Sequence, residues 1–439
     1  MLGLIILIIL VGIEIGMLLF QLKTKSNQIE WKNRIHLGIF AVMSIFVLIQ
    51  VIRLSFRWYL LFIILLIQAI MAIAYLIRKS KNVKPKPEKP YKTSSVIFTC
   101  IRRIVLLGFL LFPAIMFPQY KDLPVTGEYE VSTAIYTLED KNRLENYSDG
   151  NENRKITIEF WYPKTQDKEK DFPLVIFSHG SFGFRGSNYS TFMELASNGY
   201  VVCSIDHTYY SFFTKQDDGK IVTVDQKFLN DAIAVQNGDY AEDTTYSLTH
   251  EWLDTRLADM NMVIDNILQN ANNGLHDDVY QIIDIQKIGV FGHSIGGATS
   301  AQLGREREDI DAVIVIDGTL LGEEIDFANG KDVLTDEAYP VPILDIFNEE
   351  HYQNALENKS IYANMVMADN AVDAKQAVFK GSGHLNFTDL PMFSPFLADM
   401  LGTGDIDSRY CIETMNQVVL SYFNYYLKGS GNLNIKSEY

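Results

Sequence analysis

Four apolar runs fall within the first 120 residues of the chain, at 2–20, 35–52, 58–77 and 96–117. Each is near the roughly 20 residues that a helix needs to cross a bilayer. Residues 1–120 are therefore expected to form an all-α transmembrane module of four helices. The first run has neither a basic n-region nor a small-residue cleavage site, so it reads as a retained span and not as a signal peptide. Lys23, Lys25, Lys32 and Arg34 follow the first run, seven Lys/Arg from Arg78 to Lys92 follow the third, and only Arg53 and Arg57 follow the second. Basic loops stay cytoplasmic. The expectation is a multi-pass protein of the cell membrane, with everything after residue 117 on the extracytoplasmic side.

Two details qualify that module. Arg102 and Arg103 interrupt the fourth run, which makes it the weakest span, and their heads would have to reach the cytoplasmic interface. A fourth run lying only on the surface would move the large domain to the cytoplasm. Glu14, inside the first run, is read as a tolerated or helix-interface residue, because no second buried ionisable group is recognised for it to pair with. The segment 79–92, with Pro85, Pro87 and Pro90, reads as a solvated, semi-rigid linker.

Charge separates the two halves. Residues 1–121 carry 16 Lys/Arg against three acids, and residues 122–439 carry 22 against 51. An acidic domain without a basic stripe excludes nucleic acid as a partner. With 48% hydrophobic and 21% charged residues the chain is folded. Its three cysteines, Cys100, Cys203 and Cys411, encode neither a disulfide framework nor a zinc site.

From residue 121 onward short β-type runs alternate with helical stretches, the pattern of an α/β sheet. Strands are expected at 129–136, 156–162, 174–177, 201–205, 288–291, 312–316, 343–347 and 377–379. Helices are clearest at 256–268 and 409–427, the latter ended by Gly429. The stretch 208–251 is expected to be a long irregular insertion, with its Tyr209–Phe213 aromatics a lid, a membrane contact or core.

Gly292-His293-Ser294-Ile295-Gly296 follows the strand at 288–291 and precedes a small-residue helix start. A serine there stands on a strained strand-to-helix turn, its hydroxyl exposed at the sheet end, which makes Ser294 the candidate nucleophile. It needs a base and a carboxylate to orient that base. Two histidines lie downstream. His384 sits in a flexible Gly-Ser-Gly turn beyond a strand and is favoured, whereas His351, in Glu349-Glu350-His351, reads as solvated. Three carboxylates are available: Asp317 at a strand end before Gly318, Asp345 inside a strand, and Glu349 after it. Asp317 is favoured, and Asp345 is read as a strand residue bonded to a neighbouring loop. The order Ser, Asp, His fits an α/β-hydrolase. Upstream, Ser178-His179-Gly180-Ser181 offers backbone N–H groups to an oxyanion alongside that of Ile295. His179 and His207 are read as structural. No metal or cofactor is expected, since acyl transfer through an oxyanion hole needs none.

The segments Thr126-Gly127-Glu128-Tyr129, Phe160-Trp161-Tyr162-Pro163, Phe177-Ser178-His179-Gly180, Asp206-His207, Trp252 to Arg256, Gly292 to Gly297, Ile316-Asp317-Gly318 and Gly383-His384 occur in the order seen in the platelet-activating-factor acetylhydrolase family. Over about 124–428 the chain resembles that family of α/β-hydrolases. The resemblance implies a mostly parallel central sheet, Ser294 as nucleophile, His384 as base, Asp317 as acid, and Ser181 with Ile295 as oxyanion donors. Ser181 and Thr319-Leu320 depart from the family pattern at the acyl pocket and leave the triad intact. The implied function is a serine esterase or lipase cleaving short-chain or oxidised acyl esters, those of phospholipid among them, with an ester or phospholipid substrate and the bilayer as partners. The alternatives are an acyltransferase, a polyester or xenobiotic esterase or a peptidase on the same triad, and a non-catalytic membrane sensor with a vestigial hydrolase domain.

Overall fold

Apolar length makes the first four helices. In the computed structural model, which describes residues 2–81, 90–148, 150–165, 171–273 and 277–439, they are α1 (Leu2–Thr24), α2 (Ile29–Leu48), α3 (Phe56–Ser80) and α4 (Thr93–Met116). All four are long and apolar enough to cross a membrane. The least apolar is α2, not the arginine-bearing α4, because Lys32, Arg34 and His36 occupy its first two turns. Most of the Pro/Lys linker at 79–92 lies outside the described residues.

The chain divides into two units, residues 1–121 with 392–397, and residues 122–391 with 398–439. In the first, Trp58, Leu61 and Leu111 are buried between helices, while Ile8, Ile70, Phe98 and Phe109 stay exposed on the outer faces. The expectation that Glu14 lacks a partner is corrected here. Arg103 on α4 brings Nη1 to 3.1 and 3.3 Å from its two carboxylate oxygens, and His36 Nε2 lies 3.4 Å from the same nitrogen. Charges within an apolar bundle pair with one another, and Arg103 does so with Glu14 beside His36.

The second unit is built on an eight-stranded sheet: β1 (Val131–Leu144), β2 (Asn153–Pro163), β3 (Phe172–Ser178), β4 (Val201–Asp206), β7 (Ile283–His293), β8 (Ala312–Ile316), β11 (Ile343–Asn348) and β12 (Ala374–Phe379). The spatial order is β1-β2-β4-β3-β7-β8-β11-β12. β1 and β2 pair antiparallel, as do β2 and β4, and every other pairing is parallel. Strands covered on both faces read as unbroken apolar runs. Leu174 and Ile176 point into one core layer with Met260, Val263 and Ile264 of α7 (Glu242–Asn272), and with Leu303 of α8 (Ile295–Glu306). Val175 and Phe177 point into the other, with Phe192 and Leu195 of α5 (Tyr189–Ser197) and Met415, Val419 and Phe423 of α13 (Ser408–Tyr426). The fold is an α/β-hydrolase with helices on both faces of a mostly parallel sheet. All eight expected strands are present, most of them longer than the apolar runs that signalled them.

The stretch 208–251 is not irregular. It holds the hairpin β5 (Phe213–Lys215) and β6 (Ile221–Thr223), then α6 (Gln226–Asn237) and the first turns of α7. Asp225 caps α6 by accepting from the N–H groups of Lys227 and Phe228, and Gly238, at φ 72°, ends it. The opening of α7 carries too few apolar residues to show a helical period; Leu248 and Trp252 dock it against Phe228 and Tyr210. A second hairpin, β9 (Glu324–Ala328) and β10 (Lys331–Leu334), follows β8.

A buried polar network holds β2, α7 and the ends of β3 and β4 in register. Arg154 on β2 forks onto both carboxylate oxygens of Asp259 on α7 at 2.7 Å and reaches Glu145 at 2.9 Å. Asp259 also takes His207 Nδ1 at 3.0 Å, and His207 Nε2 meets Ser178 Oγ at 2.9 Å. Removing one charge from a buried pair leaves the other uncompensated, which costs about 3–5 kcal/mol. Asp259→Asn is expected to lower the unfolding free energy of the full chain in detergent by about that amount, read as a shift in urea midpoint; an unshifted midpoint would show that the pair does not hold this corner.

Candidate active site

At the end of β7 the chain turns into α8 through Ser294, whose φ of 56° and ψ of −129° lie outside the regions that a side chain prefers. Such a conformation costs on the order of 1–3 kcal/mol and persists only where packing over-determines it. Here strand and helix are too close for side chains. A Cβ on Gly292 would stand 2.2 Å from the Gly296 backbone, and one on Gly296 would stand 2.0 Å from Ser178 O at the end of β3. The Ser294 N–H donates to Ile316 O at 2.8 Å, and its carbonyl accepts from Gly297 N at 2.8 Å. The serine is thus fixed across the ends of three adjacent strands and remains half-exposed.

Asp317 ends β8 with φ 53°, which turns its carboxylate back over the sheet. Oδ2 accepts from His384 Nδ1 at 2.6 Å and from Asn348 Nδ2 at 2.6 Å. Oδ1 accepts from Asn348 N at 2.8 Å and from His351 Nδ1 at 2.9 Å. Burial alone would raise this carboxyl's pKa, but the two histidine bonds outweigh it and hold the group far below the usual carboxylate range. His384 lies in the short 3-10 turn His384–Phe387 after β12, its side chain 41% exposed. With Nδ1 donating to Asp317, Nε2 is left to act as an acceptor. Among the described residues the Ser294 hydroxyl and this nitrogen make no side-chain hydrogen bond; such contacts are often long without substrate.

One sequence reading is revised at this end of the sheet, and the two carboxylates passed over for the triad are placed. His351 is not solvated: its side chain is 13% exposed and held between Asp317 and Tyr362. Burial works against its charged form, yet the bond and charge of Asp317 hold its pKa above the ordinary value. Glu349 does not touch His384; it accepts from the N–H of Gly381 at 2.7 Å and secures the turn ahead of the histidine. Asp345 bonds Asn364 Nδ2 at 2.7 Å, and burial pushes its carboxyl up to about 7. His293, which sequence reasoning passed over as the variable residue beside Ser294, donates from Nε2 to the carbonyl of His384 at 3.0 Å, and burial takes its pKa down to about 3. Only its place inside the motif could have marked it.

The opposite wall is the loop after β3. Gly180 presses on the serine, a Cβ there falling 3.0 Å from that of Ser294. The N–H groups of Ser181 and of Ile295, first residue of α8, are not taken by hydrogen bonds among the described residues. His179 donates from Nδ1 to Gly180 O at 2.7 Å and accepts from Ser211 Oγ at 2.8 Å. Burial drives His179 well below its ordinary pKa and His207 down to about 4, so both are neutral braces. Beside Ile295 lies an apolar cluster of Tyr210, Phe228, Ala232 and Trp252, with Phe182 packed against it. Among the described residues no group of three or more His, Cys, Asp or Glu could hold a metal ion.

The family model described as platelet-activating factor acetylhydrolase, isoform II, matches residues 159–435. Among curated relatives, the platelet-activating factor acetylhydrolase of Cavia porcellus is 27% identical over 294 residues, 61% of this chain and 60% of that protein. That of Bos taurus is 28% identical over 290 residues, with the same coverage. The match thus spans about 60% of the length of these relatives. Among solved structures, the ferulic acid esterase from Streptomyces cinnamoneus superposes with a TM-score of 0.54 at 20% identity, covering 72% of this chain and 95% of that one, a likeness of fold. Since the family model takes in more than half of the chain, including the strand-to-helix serine and both downstream strand ends, the chain belongs to the platelet-activating factor acetylhydrolase isoform II family.

Proposed function

We propose that this chain is a membrane-anchored serine esterase that cleaves short-chain or oxidised acyl esters, phospholipid esters among them, through an acyl-enzyme. The observation that carries the reading is the 2.6 Å bond from His384 Nδ1 to the buried Asp317 carboxylate, at the sheet end where Ser294 is held on its strained turn. His384 Nε2 takes the proton of Ser294 as its oxygen attacks the ester carbonyl. The tetrahedral oxyanion is held by the N–H groups of Ser181 and Ile295, the second reinforced by the N-terminal dipole of α8. The imidazolium then gives its proton to the leaving alcohol or lysophospholipid oxygen as the C–O bond breaks. Water repeats the sequence on the acyl-enzyme, releasing the acid and restoring Ser294. The apolar cluster of Phe182, Tyr210, Phe228 and Trp252 packs against Ile295 and backs the proposed oxyanion donor.

Ser294→Ala and His384→Ala are each expected to lower ester turnover by about 10⁴-fold or more, with no further loss in the double variant. Asp317→Asn is expected to cost several orders of magnitude by favouring the wrong imidazole tautomer. Turnover of a chromogenic short-chain ester by the purified full chain reads all three, and wild-type rates in the serine variant would end the proposal. Activity is also expected to survive chelation by EDTA; loss restored by one added metal would contradict the mechanism.

The basic loops assign the hydrolase unit to the extracytoplasmic side in this reading. Protease added to intact cells should degrade the segment after residue 117 and spare a tag in the loop at 79–92. A protected hydrolase unit would place the substrate in the cytoplasm.

A further inference from the structure

Asp317 serves two histidines, and the proposed triad uses only one of them. His351 is the third residue of α9 (Glu349–Glu357), and its own N–H is bound at 2.8 Å by Asn348 Oδ1, the helix cap. The same asparagine donates twice to Asp317, so the cap that starts the helix also fixes the carboxylate. An ionised carboxylate has no proton to give, so His351 Nδ1 must donate to it. Neutral His351 then accepts at Nε2 from the Tyr362 hydroxyl, 2.6 Å away. Charged His351 donates to that oxygen instead, and Tyr362 turns its proton to Thr319 Oγ1 at 3.1 Å. Both protonation states are satisfied with every heavy atom in place, which an ordinary buried histidine lacks.

The titratable groups facing His351 come from every element around it. Asp317 stands at the end of β8, with His384 across that carboxylate from the loop after β12. Asp345 stands on β11, with one oxygen bonded to Asn364 and the other unpartnered, and Tyr362 stands just ahead of α10 (Ala363–Asn370). Phe347 on β11 contributes a ring edge, with centroids 5.0 Å apart.

We infer that His351 is a positioning residue that tunes the basicity of His384 through the carboxylate they share. The inference rests on the Ser294, His384 and Asp317 reading above. A second donor draws negative charge from Asp317, which then supports a proton on His384 less strongly. When His351 is itself charged, the second positive charge on the shared carboxylate is disfavoured further, so the pair titrates as a coupled unit. Each effect moves the acid limb of activity toward lower pH than a single-histidine triad would show.

The test is the rate of covalent labelling by a fluorophosphonate, in which the Ser294 oxygen bonds phosphorus, fluoride leaves and His384 accepts the proton. The full chain in detergent is labelled between pH 4.5 and 8.5, with a thermal melt of each variant as the control for folding. His351→Gln is expected to raise the midpoint of the acid limb by about half to one pH unit while keeping most of the plateau rate. Tyr362→Phe, which removes the acceptor of the charged form, is expected to shift it the same way by less. If His351→Gln does not fold, Tyr362→Phe decides alone. Limbs that coincide with wild type in the folded variants would overturn the inference and leave His351 a packing residue. His384→Ala separates the two claims: its loss of labelling supports the triad, whereas full labelling there together with its loss in His351→Gln would make His351 the base and overturn both.

Discussion

A carboxylate kept ionised away from water is the constraint around which this end of the molecule is arranged. Asp317 is fully buried at its side chain and takes four hydrogen bonds, two from Asn348 and one each from His351 and His384. Those donors come from the junction of β11 with α9 and from the loop after β12, so two segments distant in sequence must converge on one strand end. Asp345 supplies the internal contrast. It is equally buried, but one amide is its only donor among the described residues, and its carboxyl rises to about 7 where that of Asp317 is driven down. The difference between the two aspartates lies in the donors around them and not in depth.

The wall facing Asp317 is built differently, with neutral histidines as the groups nearest the serine and the charges held behind them. His179 and His207 are both buried and neutral, and they act as rigid spacers: one ties the loop after β3 to Ser211, the other ties Ser178 to the Arg154–Asp259 fork. Arg256, also fully buried, donates to the carbonyl of His179 at 2.6 Å, which fixes the peptide directly ahead of Gly180. The two walls therefore reach Ser294 by different physics, a solvated-by-protein anion on one side and a neutral hydrogen-bonded brace on the other. What they share is the close approach at Gly296, which lets the first turn of α8 lie against the end of β3 without a side chain between them.

Much of this was legible in the sequence because the sheet is buried on both faces. Runs such as Leu174–Phe177 and Ala312–Ile316 have no polar alternation to obscure them, and strand ends followed by glycine pointed to Ser294, Asp317 and His384. The misreadings have a common cause: local composition was allowed to stand for environment. Two glutamates before His351 suggested solvent, yet only Glu350 is exposed; Glu349 is bonded to Gly381, and the histidine turns inward against Phe347 and Tyr362. The run 208–251 looked irregular because the first turns of α7 are polar and are held by Trp252 and Leu248 at one end only. Glu14 was read as unpartnered because its own run holds no second charge, although the face of another helix brings Arg103 to it.

Ile295 joins the proposed chemistry to the apolar cluster packed beside the serine turn. Its N–H, at the start of α8, is one of the two oxyanion donors in the mechanism, while its buried side chain belongs to the apolar cluster with Tyr210, Phe228, Ala232 and Trp252. Three of those partners come from segments added after β4: the turn at Tyr210, and Phe228 and Ala232 on α6. Cores are packed closely enough that a change of volume displaces neighbours instead of being absorbed. A larger side chain placed in the cluster would therefore be felt at the first turn of α8. A shift of that donor would enter kcat as well as KM, because the proposed oxyanion contact is made in the transition state.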